Sequence, residues 1–129
     1  MTAGRNILHG KHILVVEDEY LIASDLRRTL SRAGAVVVGP AGSLSEGLAL
    51  ARSEPLHAAI LDIKLQGRSS EEIAAVLKKR SVPFCIHSGY DQWSLSPESQ
   101  PVLRIAKPCT PQAFLTAVRR LVGSSDNVL

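Results

Sequence analysis

Residues 13–19, Ile-Leu-Val-Val-Glu-Asp-Glu, join a run of four aliphatic side chains directly to three consecutive acids. A short aliphatic run of this kind is typical of a strand that is buried on both faces, as in a parallel sheet. In open α/β sheets, ligands bind at the carboxyl ends of the strands. The stretch therefore predicts both a type of sheet and an acidic site at its edge.

The same pattern recurs along the chain. Stretches with helical spacing or helix-capping residues separate the apolar runs, which are residues 13–16, 35–38, 58–61, 84–86 and 102–105. This alternation predicts an α/β fold with a doubly wound, five-stranded parallel sheet covered on both faces. The segment 90–101 has three serines, two prolines and no apolar period, so we expect a short or irregular fourth helix there.

Length and composition favour one domain with an aliphatic core. The chain has 129 residues, of which 45% are hydrophobic and only 4% are aromatic. A chain of this length is enough for one hydrophobic core. We expect the domain to span residues 11–122, with an N-terminal extension at 1–10 and a loose C-terminal tail at 123–129.

Charge and cysteine content narrow the class of protein. The net charge is +3, and the basic residues are scattered, which is typical of solvated helix faces. Two cysteines, Cys85 and Cys109, make no disulfide framework, so we expect free thiols in a reducing cytoplasm. No apolar stretch has the length of a membrane span. The sequence thus predicts a cytoplasmic protein without membrane or direct nucleic-acid contact.

Side chains that can carry chemistry follow four of the five apolar runs. Glu17 and Asp18 follow the first run, and Asp62 follows the third. Ser88 comes shortly after the fourth run and Lys107 shortly after the fifth. Because the carboxyl ends of parallel strands meet at one edge of the sheet, we expect these side chains to converge there.

Such a set of residues is suited to phosphoryl chemistry. Three carboxylates in a small site repel one another, and a hard divalent cation with oxygen ligands, such as Mg²⁺, relieves the repulsion. A carboxylate can act as the nucleophile and form an acyl phosphate, and a lysine can hold the transferred group as a point charge. A hydroxyl can donate a hydrogen bond to a phosphoryl oxygen.

These motifs resemble those of the CheY-like receiver domains of bacterial response regulators. The quoted motifs are Val-Val-Glu-Asp-Glu at 15–19, Leu-Asp-Ile-Lys-Leu at 61–65, Ser-Gly-Tyr at 88–90 and Lys-Pro at 107–108. Their order and spacing cover about the whole of residues 11–122. The resemblance implies the flavodoxin-like receiver fold and a role in two-component phosphotransfer.

The resemblance also implies a role for each residue. Asp62 is expected to accept the phosphoryl group, while Ser88 and Lys107 contact it. The expected Mg²⁺ ligands are Glu17, Asp18, Asp62 and the main-chain carbonyl of Lys64. In this family the Lys107–Pro108 peptide bond is cis. Chemistry at Asp62 includes self-phosphorylation and self-dephosphorylation, so the chain is primarily a signalling switch.

Two stretches resemble the FAT GUY subgroup of receivers. Residues 83–90 are similar to its Phe-Ala-Thr-Gly-Tyr motif, although Ile86-His87-Ser88 departs from Phe-Ala-Thr. Residues 62–67 are similar to its motif of Asp, Ile or Val, Asn, Leu, any residue and Gly. Such receivers lack the aromatic switch on the fifth strand, and here Arg104 stands at that position. The resemblance implies a sensor histidine kinase, including the HWE class, or a phosphotransfer protein as donor. A downstream protein target would read the signal by protein–protein contact.

Other readings of the sequence remain open. A degenerate receiver that binds a protein without phosphorylation is the main alternative. A dehalogenase-type phosphatase would need an acid at position 64, where this chain has Lys64. His87 is expected to be structural, and Trp93 is either a packing anchor or a partner contact.

Overall fold

The computed structural model describes residues 7–88 and 103–126. Its strands and helices alternate along the chain except that β3, β4 and β5 follow one another, and no helix lies between β6 and β7 in the described residues. In order, they are β1 (His12–Val16), α1 (Tyr20–Arg32), β2 (Val36–Ala41), α2 (Leu44–Ser53), β3 (Ala58–Leu61), β4 (Lys64–Leu65), β5 (Arg68–Ser69), α3 (Glu71–Lys79), β6 (Phe84–Ser88), β7 (Leu103–Ala106) and α4 (Pro111–Asp126). The expected irregular helix at 90–101, together with Trp93, lies outside the described residues.

Five parallel strands form the sheet, in the order β2-β1-β3-β6-β7. This is the flavodoxin-like order, and it confirms the predicted doubly wound fold. Val16 at the end of β1 pairs with Leu61 at the end of β3. The next residue on each strand is an acid, so the strand register itself brings Glu17 and Asp62 side by side.

The core consists of two layers, one on each face of the sheet. Leu14 and Val16 face the cluster beneath α2 and α3, while Ile13 and Val15 face the cluster beneath α1 and α4. All four side chains are at most 1% exposed. Fully burying an aliphatic side chain contributes about 1.5–3 kcal/mol, so β1 anchors both layers.

Side chains cap the start of α2. Ser43 Oγ accepts a hydrogen bond from Glu46 N at 3.2 Å. Glu46 Oε1 in turn accepts from Gly42 N at 3.2 Å, one residue before the serine. Two of the free amides at this helix end are therefore satisfied by side chains.

The beginning of the chain is more structured than the sequence indicates. Leu8, in the expected N-terminal extension, is fully buried in the cluster beneath α1 and α4. Gly10 N donates to Gly34 O at 2.9 Å, which ties this segment to the end of α1. Residues 7–10 of the expected extension are thus part of the fold.

The expected C-terminal tail also differs from the prediction. Helix α4 runs on to Asp126, so residues 123–126 continue a helix where we expected a loose tail. The sequence of this last turn, Gly-Ser-Ser-Asp, has low helix propensity. The helix persists because the preceding residues Val118, Leu121 and Val122 are fully buried against the sheet.

Two further features concern the cysteines and the helices. Both Cys85 and Cys109 have free thiols, as predicted, and Cys85 is fully buried. None of the helices in the described part of the chain is long and apolar enough to cross a lipid bilayer.

Two glycines in helices provide a test of the packing between α2 and α3. A Cβ added at Gly47 would lie 2.6 Å from Ile73 Cδ1 and 3.3 Å from Val16 Cγ1, whereas one added at Gly123 in α4 meets nothing within 4 Å. We expect Gly47→Ala to lower the free energy of unfolding by about 1–3 kcal/mol through overpacking. Gly123→Ala should raise it by up to about 1 kcal/mol. Urea unfolding measures both, and equal stabilisation by the two variants would contradict the tight contact.

Candidate functional site

Three of the predicted site residues meet at the carboxyl edge of the sheet. Lys107 Nζ lies 2.8 Å from Glu17 Oε1 and 3.0 Å from Asp62 Oδ2. Glu17 is 3% exposed and Asp62 is 8% exposed. One ammonium group therefore joins the ends of β1, β3 and β7 in a setting that is largely closed to water.

Asp18 completes an acidic triad with Glu17 and Asp62. Each residue offers a carboxylate oxygen, and these oxygens all lie within 4.8 Å of one another. Backbone amides orient the acid pair: Glu17 Oε2 accepts from Glu19 N at 3.1 Å, and Asp18 Oδ2 accepts from Gln66 N at 2.7 Å. The predicted convergence of the three carboxylates is thus present.

Burial dominates the electrostatics of the site. It raises the pKa of Glu17 to about 7, and the negative charge of Asp62 acts in the same direction, while the contacts with Lys107 and the Glu19 amide oppose it. Burial by itself lowers the pKa of Lys107, but hydrogen bonds to Glu17 and Asp62 outweigh this effect and raise it. Lys107 therefore stays a cation at neutral pH, and it does not fully compensate the acids around it.

The donor set fits a hard divalent cation. Carboxylate oxygens are the ligands that Mg²⁺ prefers, and Mg²⁺ needs few of them because it keeps several waters. When all three acids are ionised, the single ammonium group of Lys107 does not balance them. Lys64, whose carbonyl was expected to be a further ligand, stands in β4 two residues after Asp62 with its side chain exposed.

The remaining predicted residues lie on the two outer strands of this half of the sheet. Ser88 ends β6 and pairs in register with Ala106, the residue before Lys107. Arg104, at the position of the usual aromatic switch, lies in β7 and is exposed. Gly89 and Tyr90, which complete the serine motif, lie outside the described residues.

A second cluster lies beneath Lys107, on the α1 and α4 side of the sheet. His87 is 5% exposed, its Nε2 lies 3.8 Å from Cys109 Sγ, and its ring lies 6.0 Å from that of Phe114. Burial, assisted by the positive charge of Lys107, lowers the pKa of His87 to about 4. His87 is thus a neutral residue of the core, in line with the structural role expected for it.

The position of Cys109 in this cluster was not predicted from the sequence. Cys109 and His87 are far apart along the chain, and both line a cavity of about 430 Å³ between α1 and α4. Proximity in sequence to Lys107, two residues earlier, was the one available signal.

Comparison with curated proteins finds two bacterial regulators. The chain is 35% identical over 115 residues to the phyllosphere-induced regulator PhyR of Methylorubrum extorquens. It is 31% identical over 86 residues to the transcriptional regulatory protein PdtaR of Mycobacterium tuberculosis. The matches take in 84% and 66% of this chain but only 43% and 42% of those proteins, so the chain spans less than half the length of either relative. No protein-family model matches the chain.

Solved structures match over nearly the whole chain. SdrG from Sphingomonas melonis Fr1 is 31% identical, with a TM-score of 0.76, over 88% of this chain and 97% of that one. A CheY-like response regulator receiver domain protein from Methanospirillum hungatei JF-1 is 25% identical, with a TM-score of 0.79, over 91% and 97% of the two chains.

A third match has the same fold at lower identity. The receiver domain of the sensor histidine kinase PA1611 from Pseudomonas aeruginosa PAO1, which holds a magnesium ion in its active-site cleft, is 17% identical with a TM-score of 0.78, over 88% and 98% of the two chains.

Fold, site and relatives agree: the chain belongs to the CheY-like receiver domains of response regulators, the proteins of two-component signalling.

The buried imidazole makes stability depend on pH. The pKa of His87 is about 4 in the folded protein against an ordinary 6.5, so between these values the unfolded chain binds a proton that the folded protein does not. The contribution of His87 to stability therefore falls as the pH falls from about 6.5 to about 4, while Glu17, whose pKa is raised from 4.5 to about 7, contributes in the opposite direction over much of the same range. We expect His87→Leu to become more stable relative to the wild type as the pH falls, measured as the difference between their unfolding free energies at pH 7 and at pH 4.5.

An exposed histidine provides the matched control. His9 lies on the surface, so His9→Gln should leave the pH dependence of the wild type in place. An unchanged dependence in His87→Leu would show that other groups cause the acid sensitivity.

Proposed function

We propose that the chain is a receiver that accepts a phosphoryl group onto Asp62, with Mg²⁺ held by Glu17, Asp18, Asp62 and the main-chain carbonyl of Lys64. The observation that carries the proposal is the contact of Lys107 Nζ with Asp62 Oδ2 beside the acid pair. A structural ion pair would need one acid for one lysine, whereas here two carboxylates contact a single ammonium group and a third, that of Asp18, lies beside them.

Transfer to Asp62 requires a donor with a labile P–N or P–O bond. In transfer from a phosphohistidine, a carboxylate oxygen of Asp62 attacks phosphorus, the P–O bond forms as the P–N bond breaks, and the histidine leaves with the electron pair of the broken bond. Mg²⁺, when bound, neutralises charge on the phosphoryl oxygens. Catalysis is therefore mainly a matter of position and electrostatics.

The chain's own residues have distinct parts in this reaction. Lys107 keeps the Asp62 carboxylate in place before transfer and holds a phosphoryl oxygen afterwards. Glu17 and Asp18 hold the cation rather than the phosphoryl group, because like charges repel. Ser88, at the end of the strand next to Lys107, donates its hydroxyl to the phosphoryl group.

The proposal extends to subgroup, partners and place in the cell. The FAT GUY motifs at 62–67 and 83–90 favour that subgroup, and hence donation by a sensor histidine kinase, including the HWE class, or by a phosphotransfer protein. We assign residues 11–122 to the main body of the receiver domain, which the segment from residue 7 and the last turn of α4 extend, and we place the domain in the cytoplasm. The receiver signals to a downstream protein by contact.

Phosphorylation by a small-molecule donor tests the function directly. Incubation of the chain with acetyl phosphate and Mg²⁺ should add one phosphoryl group, detected by intact mass. Asp62→Asn should reduce labelling to background, because the amide is a poor nucleophile, and chelation of Mg²⁺ should do the same.

The matched control is an aspartate that the site does not use. Asp25 lies on α1, where its exposed carboxylate pairs with Arg28 at 2.8 Å, so Asp25→Asn should be labelled as the wild type is. Wild-type protein that stays unmodified, while a known receiver is labelled in parallel, would contradict the proposal.

One observation favours the alternative of a binding module that needs no phosphorylation. Arg104 occupies the position of the aromatic switch and is exposed, so the usual means of reading the phosphorylated state is absent from β7. In that case the affinity for a protein partner would be the same with and without beryllofluoride, a mimic of the phosphoryl group.

A further inference from the structure

A small hairpin follows Asp62. Strands β4 and β5 pair antiparallel, Lys64 with Ser69 and Leu65 with Arg68. The two residues between them, Gln66 and Gly67, have φ of 52° and 81°. Positive φ at both central residues is the signature of a type I′ turn, the tightest connection between antiparallel strands.

The tip of this hairpin is attached to the acid pair. Gln66 N donates to Asp18 Oδ2 at 2.7 Å, across 48 residues of sequence. Hydrogen bonds to a carboxylate are short and about twice as strong as those between neutral groups. The same Asp18 carboxylate is a member of the triad with Glu17 and Asp62.

The base of the hairpin packs into the hydrophobic core. Leu65 is fully buried in the cluster beneath α2 and α3. At the end of β5, Ser70 N donates to Ile63 O at 2.8 Å and closes the loop below the ladder. The buried side chain of Leu65 and the hydrogen bond of Ser70 with Ile63 therefore hold the two strands below the exposed tip. The direction of the Gln66 N–H then depends on the type I′ turn.

We propose that the β4–β5 hairpin is a positioning element for the metal site, with the Gln66 amide fixing the Asp18 carboxylate where it joins Glu17 and Asp62. The inference rests on the proposed function, because it concerns the ligands of the same site. A carboxylate has two oxygens with several acceptor positions, so Asp18 can serve the amide and a cation together.

Coupling of this kind works in both directions. If the intact hairpin strengthens cation binding by some factor, then cation binding stabilises the intact hairpin by the same factor. The Gln66 amide is thus both a support for the site and a reporter of its occupancy. The hairpin carries that information to the surface, where Gln66, Gly67 and Arg68 are exposed.

Substitution of Gly67 tests the inference without touching a ligand. A Cβ at Gly67 meets nothing within 4 Å, so a side chain there adds backbone strain at positive φ and no clash. We expect Gly67→Val to raise the dissociation constant for Mg²⁺ at least about 5-fold, a typical coupling. Asparagine tolerates positive φ, so the dissociation constant of Gly67→Asn should lie between those of Gly67→Val and the wild type.

A second glycine provides the matched control. Gly10 also has positive φ, +75°, and an added Cβ there meets nothing within 4 Å, but it precedes β1 at the other end of the sheet. Gly10→Val should therefore bind Mg²⁺ as the wild type does. An NMR titration of the full chain with MgCl₂ gives each dissociation constant, and amide exchange at Gln66 should slow in the wild type as Mg²⁺ saturates.

The outcomes separate this inference from the proposed function. Wild-type protein without saturable Mg²⁺ binding would overturn the metal site and the inference together. If the wild type binds Mg²⁺ but Gly67→Val binds it equally well, or if Gly10→Val is weakened to the same extent, the inference alone fails. A graded loss from Gly to Asn to Val at position 67, with slower exchange at Gln66, supports it.

Discussion

The contact of one lysine with two buried acids is the constraint on which the site depends. Lys107 Nζ lies within 3.0 Å of oxygens from Glu17 and Asp62, and the strands that carry these residues are not neighbours in sequence. Burying a charge is costly unless it is paired, so the two acids stabilise Lys107 as much as it stabilises them. Burial raises the pKa of Glu17, and the contacts with Glu17 and Asp62 raise that of Lys107. When all three acids of the site are ionised, one ammonium group does not balance them, and this excess of negative charge would favour a bound cation.

The pairing of the strands fixes the positions that the contact of Lys107 with the two acids requires. Register between β1 and β3 sets Glu17 beside Asp62, and register between β6 and β7 sets Ser88 beside Ala106, next to Lys107. Both faces of the sheet are covered by aliphatic side chains, so a shift of one strand would disturb two packed layers at once. The positions of the functional groups at the site therefore depend on buried aliphatic residues that do not contact them.

Much of this was predictable from the sequence, for identifiable reasons. The strands are predictable because a run of aliphatic residues is a local pattern in the sequence. Glu17, Asp62 and Lys107 are predictable as site residues because the carboxyl ends of parallel strands meet at one edge of the sheet. The hairpin was not found, since strands of two residues have no periodicity and the group that matters at Gln66 is a backbone amide, which every residue but proline has. The contact of His87 with Cys109 depends on the path of the chain after β7, which no local pattern specifies.

A receiver without the aromatic switch must express a change at Asp62 by other means. A phosphoryl group on Asp62 adds negative charge next to Lys107, and an ammonium group drawn toward it leaves Glu17 with less compensation. A cation held by Glu17, Asp18 and Asp62 would supply positive charge to both the phosphoryl group and the acid pair. Both members of the acid pair accept hydrogen bonds from amides of exposed residues, Glu17 from Glu19 and Asp18 from Gln66 at the tip of the hairpin. In the proposed function, a change of charge at Asp62 would therefore be connected to the surface through a carboxylate and an amide, a route that requires no aromatic ring on β7.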